Sequence, residues 1–434
     1  MKKRIVCEKG KSTLWGNRIF CYTLVVLIGL FLLFSGTRSL VSAAGLDRSL
    51  RVGLLADKTG PLAAYGYAHE KVARAVVKKI NAGGGVAGYP IELVVADTES
   101  NASVATIKMR QLIESSKVDF VVGSNTSAVV LAVAPIAKEL KTVYFPTAGG
   151  ALLTVPGKGN RYIFDFNTDV KQETQVAANF AAQNLKITDW VTVVVDYAWG
   201  WDQEQSFKEA AGKNGLKVLA SIRVPIGTGN WLRYLAGKVP PNAKGVYFAN
   251  FGTDFLAFIR DLYNIRPDMV KIGGNYVLSG HDVTSLGPAA EGLYVISGYP
   301  QWSQAVGTEF DKLYREAIGM DDYGKEKGSD RFLVSSYQWA TWESIYTIKE
   351  VVEEVQWKSK DDTPRFITTL EGRQFKLSAA HPEGNKQFRR EDHLTIKGLW
   401  IEQIKDGKLA LAERVAAENA VYPAAIDYAQ DEPF

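Results

Sequence analysis

Between residues 46 and 300, short apolar runs alternate with stretches whose apolar positions recur every three or four residues. Leu50–Ala56 is almost continuously apolar, which predicts a buried strand. Gly66–Asn81 carries Val72, Val76 and Ile80 at a spacing of four, which puts them on one helix face. The rotation continues with a strand at Ile91–Ala96, a helix at Val104–Ser115, a strand at Val118–Val122, a helix at Ser127–Glu139 and a strand at Thr142–Phe145. Strand and helix in strict alternation predict a parallel sheet with helices on both faces, and near-continuous apolar strands fit a sheet covered on both sides.

The pattern then restarts. It predicts a helix at Lys171–Asn184, a strand at Trp190–Val195, a helix at Asp202–Asn214, strands at Lys217–Val224 and Gly245–Phe248, a helix at Asp254–Tyr263, and strands at Val270–Gly273 and Gly292–Ile296. Beyond Pro300, helices are predicted at Thr308–Ile318 and Phe332–Val355, with a strand-like tail at Ile396–Ile404 and a turn at Asp406–Gly407. No solenoid repeat, low-complexity tract or flexible linker interrupts this order. The expected fold is α/β: two doubly wound parallel-sheet lobes, 46–165 with 299–380 and 166–298 with 381–430. Several short crossings should join them, with candidates at Ile163–Thr168, Ile296–Gln301 and within Ser378–Arg390.

Residues 1–44 change the reading of charge. A basic stretch from Lys2 to Arg18 precedes an apolar run, Ile19–Phe34, and then the small residues Val41-Ser42-Ala43-Ala44. That order is the pattern of a secretory signal peptide, with cleavage expected after Ala43 or Ala44 and a periplasmic location for the mature chain. The competing reading is an uncleaved anchor, for which the run is short. The formal net charge is +4, but residues 1–44 hold seven Lys or Arg and one acid, leaving 44 basic and 46 acidic residues. A body without basic excess argues against nucleic acid as a partner. Both cysteines, Cys7 and Cys21, also fall in the leader, so the body has no disulfide or thiol chemistry.

Catalytic patterns are scarce. Gly83–Gly88 fits G-x-G-x-x-G by letter, but these glycines leave a helix and enter a strand. A phosphate-cradling loop runs the other way, so a helix end is the better reading. The four histidines, His69, His281, His381 and His393, form no H-E-x-x-H pattern and read as surface or hydrogen-bonded residues. No cofactor and no metal site is expected. Asn101-Ala-Ser103 and Asn125-Thr-Ser127 match glycosylation sequons and are read instead as helix-cap chemistry.

The remaining candidates stand at strand ends, where open α/β sheets bind ligands. Asp57–Gly66 follows the first strand, Gly123-Ser-Asn-Thr-Ser127 the third, and Pro146-Thr-Ala-Gly-Gly150 the fourth. The last two loops offer hydroxyls and bare backbone, and Ser127 should open a helix, a place that can hold a carboxylate. Ser124, Thr126 and Ser127 could equally be simple caps. In the second half, the corresponding loops carry Tyr197, Trp199, Trp201, Phe251 and Tyr276, enough aromatics to form a wall over a ligand.

Val52-Gly-Leu-Leu with Thr59-Gly-Pro-Leu-Ala-Ala-Tyr-Gly66, Ile80-Asn-Ala-Gly-Gly-Gly-Val-Ala-Gly88, Asp97, Val122-Gly123, Phe145-Pro146 and Asp392-His393 occur in an order that resembles the leucine/isoleucine/valine-binding proteins. These are periplasmic receptors of ATP-driven amino-acid importers. The resemblance covers nearly all of residues 50–405. It implies the type I periplasmic binding fold, with three crossovers and hinge closure on a small ligand. It also implies that Ser127, Ala148 and Gly149 hold the ligand's head, that Tyr65, Trp199 and Phe251 wall the pocket, and that Tyr276 or Asn275 stands where an acid takes the ammonium. Two departures bear on the ligand: Gly149 has no hydroxyl, and neither Asn275 nor Tyr276 is an acid. A buried ammonium without a carboxylate is costly, so a plain leucine-type amino acid fits less well, and the expected ligand is a small carboxylate-bearing molecule: an amino acid or a related, aromatic or larger apolar acid or amide. The expected function is a non-enzymatic, monomeric solute receptor that serves the permease of an ABC importer. The alternatives are a sensing module for a signalling partner, or an exported hydrolase, for which no nucleophile–base pair is visible.

Overall fold

The computed structural model describes residues 46–148, 153–274, 282–333 and 338–434. The leader, Gly149, Asn275, Tyr276 and His281 lie outside these described residues. Among the described residues, no helix is long and apolar enough to cross a membrane.

Strand β1 (Leu50–Ala56) runs parallel to β2 (Ile91–Asp97) on one side and β3 (Phe120–Gly123) on the other, and β4 (Tyr144–Phe145) extends the sheet beyond β3. Val52, Leu54 and Leu55 are fully covered, as a central parallel strand requires. Helices α1 (Ala63–Ala82), α2 (Ala102–Arg110) and α3 (Ser127–Glu139) connect these strands. β3 begins later than the apolar run at Val118 because the Asp119 carboxylate turns out to Arg48, 2.7 Å away, and accepts from Arg51 N. α1 begins three residues before Gly66, whose bare Cα lets the helix lie on the end of β1. A Cβ there would stand 2.1 Å from Asp57 O. α1 ends at Gly83, as the glycine run predicts, and Asn101 caps α2 by accepting from Ser103 N and Val104 N.

The second sheet holds β5 (Asp189–Val195), β6 (Lys217–Val224), β7 (Gly245–Ala249), β8 (Val270–Gly274) and β9 (Leu293–Ser297), all parallel, in the order β9-β8-β7-β5-β6. Its helices include α4 (Val170–Phe180), α5 (Ala198–Lys213) and α6 (Gly252–Ile265). Later come α7 (Glu309–Ile318), α8 (Gln338–Glu354) and α9 (Thr363–Leu370). Trp339, Trp342, Ile345 and Val351 of α8 enter the core of the first sheet, against α1.

Three short antiparallel strands, β10 (Gln374–Phe375), β11 (Lys386–Phe388) and β12 (Thr395–Lys397), form a separate small sheet. β13 (Leu399–Lys405) then pairs antiparallel with β9, and the turn at Asp406–Gly407 returns the chain as β14 (Lys408–Val415). The parallel sheet thus gains an antiparallel edge. The tail pattern predicts only the first of these two strands, because in β14 only Leu409 and Val415 are buried and a register shift opposite Ile401 and Glu402 breaks its alternation.

Three stretches pass between the two large sheets. Ile163 bridges Tyr144 of the first sheet, seven residues before α4; β9 leaves the second sheet at Ser297; and β12 gives way to β13 across Gly398. The first two match Ile163–Thr168 and Ile296–Gln301. The third does not fall within Ser378–Arg390, and the span 381–430 is not wholly on the second side. Phe388 packs in the first core, 4.7 Å from Phe166 and 5.2 Å from Phe164 between ring centroids. The tail also returns there, since Tyr428 donates to Leu153 O and Glu432 accepts from Arg161 N.

The crossings are tied to one another. Lys397 Nζ donates to Gly298 O at 3.2 Å and lies 3.9 Å from the Trp339 ring centroid. Thr395 Oγ1 donates to Asp165 O, and buried Glu402 accepts from Ser297 Oγ, Gln301 N and Trp302 N, each at 2.9 Å. Burial lowers the Lys397 ammonium to a pKa of about 8 and raises the Glu402 carboxyl.

Candidate functional site

Asp57, at the carboxyl end of β1, organises the first-sheet edge. It is buried, and its two oxygens accept from Ser124 Oγ (2.7 Å), Asn125 N (2.9 Å), Thr126 Oγ1 (3.1 Å) and Thr98 Oγ1. The hydroxyls of Ser124 and Thr126, candidate ligand groups by sequence, are therefore engaged inside the protein. Neither caps α3, and the N-cap position is Thr126 with no side-chain cap bond. Asn125, read as cap chemistry, instead joins the Asp57 net through its backbone. Thr147 closes the edge by donating through N and Oγ1 to Ser124 O, both at 3.2 Å. β3 can turn there because Gly123 adopts φ +95 against Leu55 O, a place with no room for a Cβ.

Ser127 stands apart from this net. It opens α3, is 6% exposed, and its hydroxyl is not among the groups that satisfy Asp57. Three backbone N–H groups at such a start lack helical partners, and the helix dipole favours an anion there. Ala148 lies buried just beyond Thr147; Gly149 falls outside the described residues.

The second-sheet residues come from helix starts rather than loops. α5 begins at Ala198, so Tyr197 is its N-cap residue and Trp199 and Trp201 lie in its first turn. Phe251 is likewise the N-cap residue of α6. Three of these rings meet: Tyr197, Trp199 and Phe251 have centroids 6.0–6.4 Å apart, with Tyr197 and Phe251 edge to face. Trp201 does not join them. It is 44% exposed, and its Nε1 donates to Asp196 Oδ1 at 2.8 Å.

The two sides touch at this aromatic group. Tyr65 and Leu62, from the first-sheet side, belong to the same buried apolar cluster as Trp199 and Phe248, and Tyr197 and Phe251 pack against that cluster. Burial raises the pKa of the Tyr197 phenol, and the nearby Tyr65 phenol adds to the effect. α3 also contacts α5. The structure thus brings Tyr65, Trp199 and Phe251 together and leaves Ser127 and Ala148 at the carboxyl edge of the first sheet. Tyr276 lies outside the described residues.

Sequence reasoning missed the role of Asp57, while Tyr197 joins the aromatic wall that its loop predicts. An acid placed directly after the first strand and facing a serine- and threonine-rich loop was the available signal for Asp57. The three described histidines are structural: His69 Nδ1 bonds Thr341 Oγ1, His381 lies beside Glu343 and Glu350, and His393 Nδ1 bonds Ile163 O while its ring stacks on Phe164. Among the described residues, no group of three or more His, Cys, Asp or Glu is placed to hold a metal.

Comparison with known proteins agrees with this architecture. The Leu/Ile/Val-binding protein homolog 3 of Brucella melitensis is 27% identical over 242 residues, which are 56% of this chain and 64% of that protein, just under two thirds of its length. The Leu/Ile/Val-binding protein BraC3 of Rhizobium johnstonii is 23% identical over 86% of this chain and 97% of that protein. The solute-binding protein of an ABC transporter from R. palustris, solved with benzoate, superposes with a TM-score of 0.72 at 21% identity, covering 87% of this chain and 98% of that one. Residues 49–408 match the family model described as periplasmic binding protein, a span that takes in the first sheet, all but the last strand of the second and the three crossings, and so the chain belongs to the periplasmic binding protein family.

Proposed function

We propose that this protein is an extracytoplasmic receptor that binds a small aromatic carboxylate between its two lobes and delivers it to the permease of an ABC importer as a monomer. In this reading residues 1–44 are the export signal, and the lobes rotate about the three crossings to close on the ligand. The observation that carries the proposal is the meeting of Tyr197, Trp199 and Phe251 with Tyr65 across from the α3 start at Ser127. Flat rings on one side suit an aromatic body, and a helix start on the other suits a carboxylate.

The ligand's charge follows from what the edge lacks. Asp57 already accepts from four donors, and residues 275 and 276 are Asn and Tyr. An α-amino acid would bring an ammonium to an edge where the described Asp57 carboxylate is already engaged, at a cost that burial enlarges. The benzoate held by the R. palustris protein and the Leu/Ile/Val named for the Brucella and Rhizobium proteins mark the two chemistries to separate.

Thermal-shift titration with benzoate, phenylacetate, phenylalanine, leucine and isoleucine tests the proposal. A ligand at 100 times its Kd adds about 2.7 kcal/mol of stability. The amino-free aromatic acids should raise Tm. A rise confined to the branched-chain amino acids would overturn the aromatic assignment while leaving a solute receptor.

A further inference from the structure

The carboxyl edge of the second sheet also carries a side chain that the proposed function does not use. The ladders on both sides of β7 stop at Ala249 and Phe248: Val194 pairs with Ala249, and Gly273 with Phe248. Asn250 is the first residue beyond them and precedes Phe251, whose ring meets Tyr197 and Trp199. Asn250 is fully buried, and neither its Nδ2 nor its Oδ1 has a hydrogen-bond partner among the described residues. A buried carboxamide with two donors and an acceptor unmet is unfavourable, and native proteins seldom leave one so. Among the described residues, the other buried carboxamide in this condition, Gln338, opens α8, which packs on α1 in the first core rather than standing at the second-sheet edge.

Resting on the aromatic-carboxylate reading, we infer that Asn250 is a specificity-determining residue that reads a neutral group, one able both to donate and to accept, at the ligand end remote from its carboxylate. Its place on the second sheet, opposite the α3 start, sets it at the far end of a ligand whose carboxylate lies at Ser127. The nearby charges leave a neutral group as the match. Asp254, one turn along α6, accepts from Gly227 N at 2.6 Å, and Asp196 accepts from Trp201 Nε1. A hydroxyl or carboxamide on the ligand satisfies both faces of the asparagine at once, whereas an ammonium leaves Nδ2 facing a donor. A site built to bond such a group rejects the analogue that lacks it, because its own polar atoms are then left unpaired.

The test is calorimetric titration of the parent, Asn250→Ala and Asn250→Asp with benzoate, phenylacetate and phenylpropionate, each with and without a para-hydroxyl, and with para-aminomethylbenzoate. The parent should prefer a hydroxylated acid over its plain counterpart by about tenfold or more, the size of one hydrogen bond at about 1.4 kcal/mol per decade. In Asn250→Ala that ratio should fall towards one, with plain-acid affinity kept or raised. In Asn250→Asp the aminomethyl compound should gain affinity, a change that a purely structural asparagine would not produce. Melting curves establish that each variant is folded, and Asn250→Asp preserves shape if the alanine variant unfolds. If plain and hydroxylated acids bind the parent alike, or the ratio survives both substitutions, the role of Asn250 is overturned while the aromatic-carboxylate reading stands. If none of the acids binds the parent, both readings fall.

Discussion

The Ser124 hydroxyl donates to the buried Asp57 carboxylate across 2.7 Å, and this bond joins the end of β1 to the loop that follows β3. Three further donors converge on the same carboxylate, so the loop that leads into α3 is shaped from below by one acid. Asp57→Ala would leave Ser124 Oγ, Thr126 Oγ1, Thr98 Oγ1 and Asn125 N to find other partners in a buried setting. We expect a loss of about 3 kcal/mol or more in urea denaturation, together with weaker ligand binding, since stranded buried donors each cost about 1–3 kcal/mol. A variant within about 0.5 kcal/mol of the parent, the range of ordinary surface changes, would show that the net carries no stability.

Ser127→Ala separates ligand chemistry from helix capping. The hydroxyl lies outside the Asp57 net and Thr126 occupies the N-cap position, so stability should change by no more than about 0.5 kcal/mol. Affinity for a bound carboxylate should fall about ten- to a hundredfold, because a hydrogen bond to a charged group is worth about 1.5–3 kcal/mol. Equal affinity in the variant would move the carboxylate site away from α3.

Trp199→Ala should affect both folding and binding, in contrast to a residue on an open loop. Trp199 is 5% exposed, with the Tyr197 and Phe251 rings each 6.0 Å away. Removing a buried tryptophan costs about 3–5 kcal/mol, at the lower end where the neighbours can relax into the space. Binding of an aromatic acid should weaken more than tenfold, and bulkier acids should lose least. Trp199→Phe should recover most of the stability and part of the affinity. A phenylalanine variant as weak as the alanine one would mean that the indole makes a specific contact rather than a wall.

The strand–helix rotation was legible because each central strand is nearly continuous in apolar residues and each connecting helix keeps its period. Where a bulge breaks the alternation, as in β14, the pattern fails, and where elements are only two or three residues long, as in β10 and β12, it has too few positions to register. At the site, residue types were legible but their tasks were not. Ser124, Thr126 and Ser127 look alike in sequence, yet a single acid 67 residues before Ser124 claims the first two and leaves the third. Trp199 and Trp201 also look alike, but adjacent odd positions on a helix point about 200° apart, so one enters the aromatic group and the other meets solvent.

Glu173 provides a test of how the crossings respond to pH. It is buried in α4, where Thr168 Oγ1 from the first crossing donates to Oε1 at 3.1 Å and Gln203 Nε2 from α5 donates to Oε2 at 3.2 Å. Burial raises its carboxyl from 4.5 to about 7, Asp169 adds to the rise, and the two hydrogen bonds and Lys397 oppose it. Between these two values the folded protein holds a proton that the unfolded chain releases. Stability from this group is therefore fully present below about pH 4.5 and is lost as pH climbs to about 7, with a slope of up to about 1.4 kcal/mol per pH unit. Glu173→Gln keeps the shape and an acceptor but cannot ionise, so it removes that slope. Compared by urea denaturation at about pH 5 and about pH 7.5, the variant should gain stability relative to the parent at the higher pH. If the difference between the two proteins were the same at both values, the Glu173 carboxyl would titrate as it does in the unfolded chain, and the bonds from Thr168 and Gln203 would be holding it ionised.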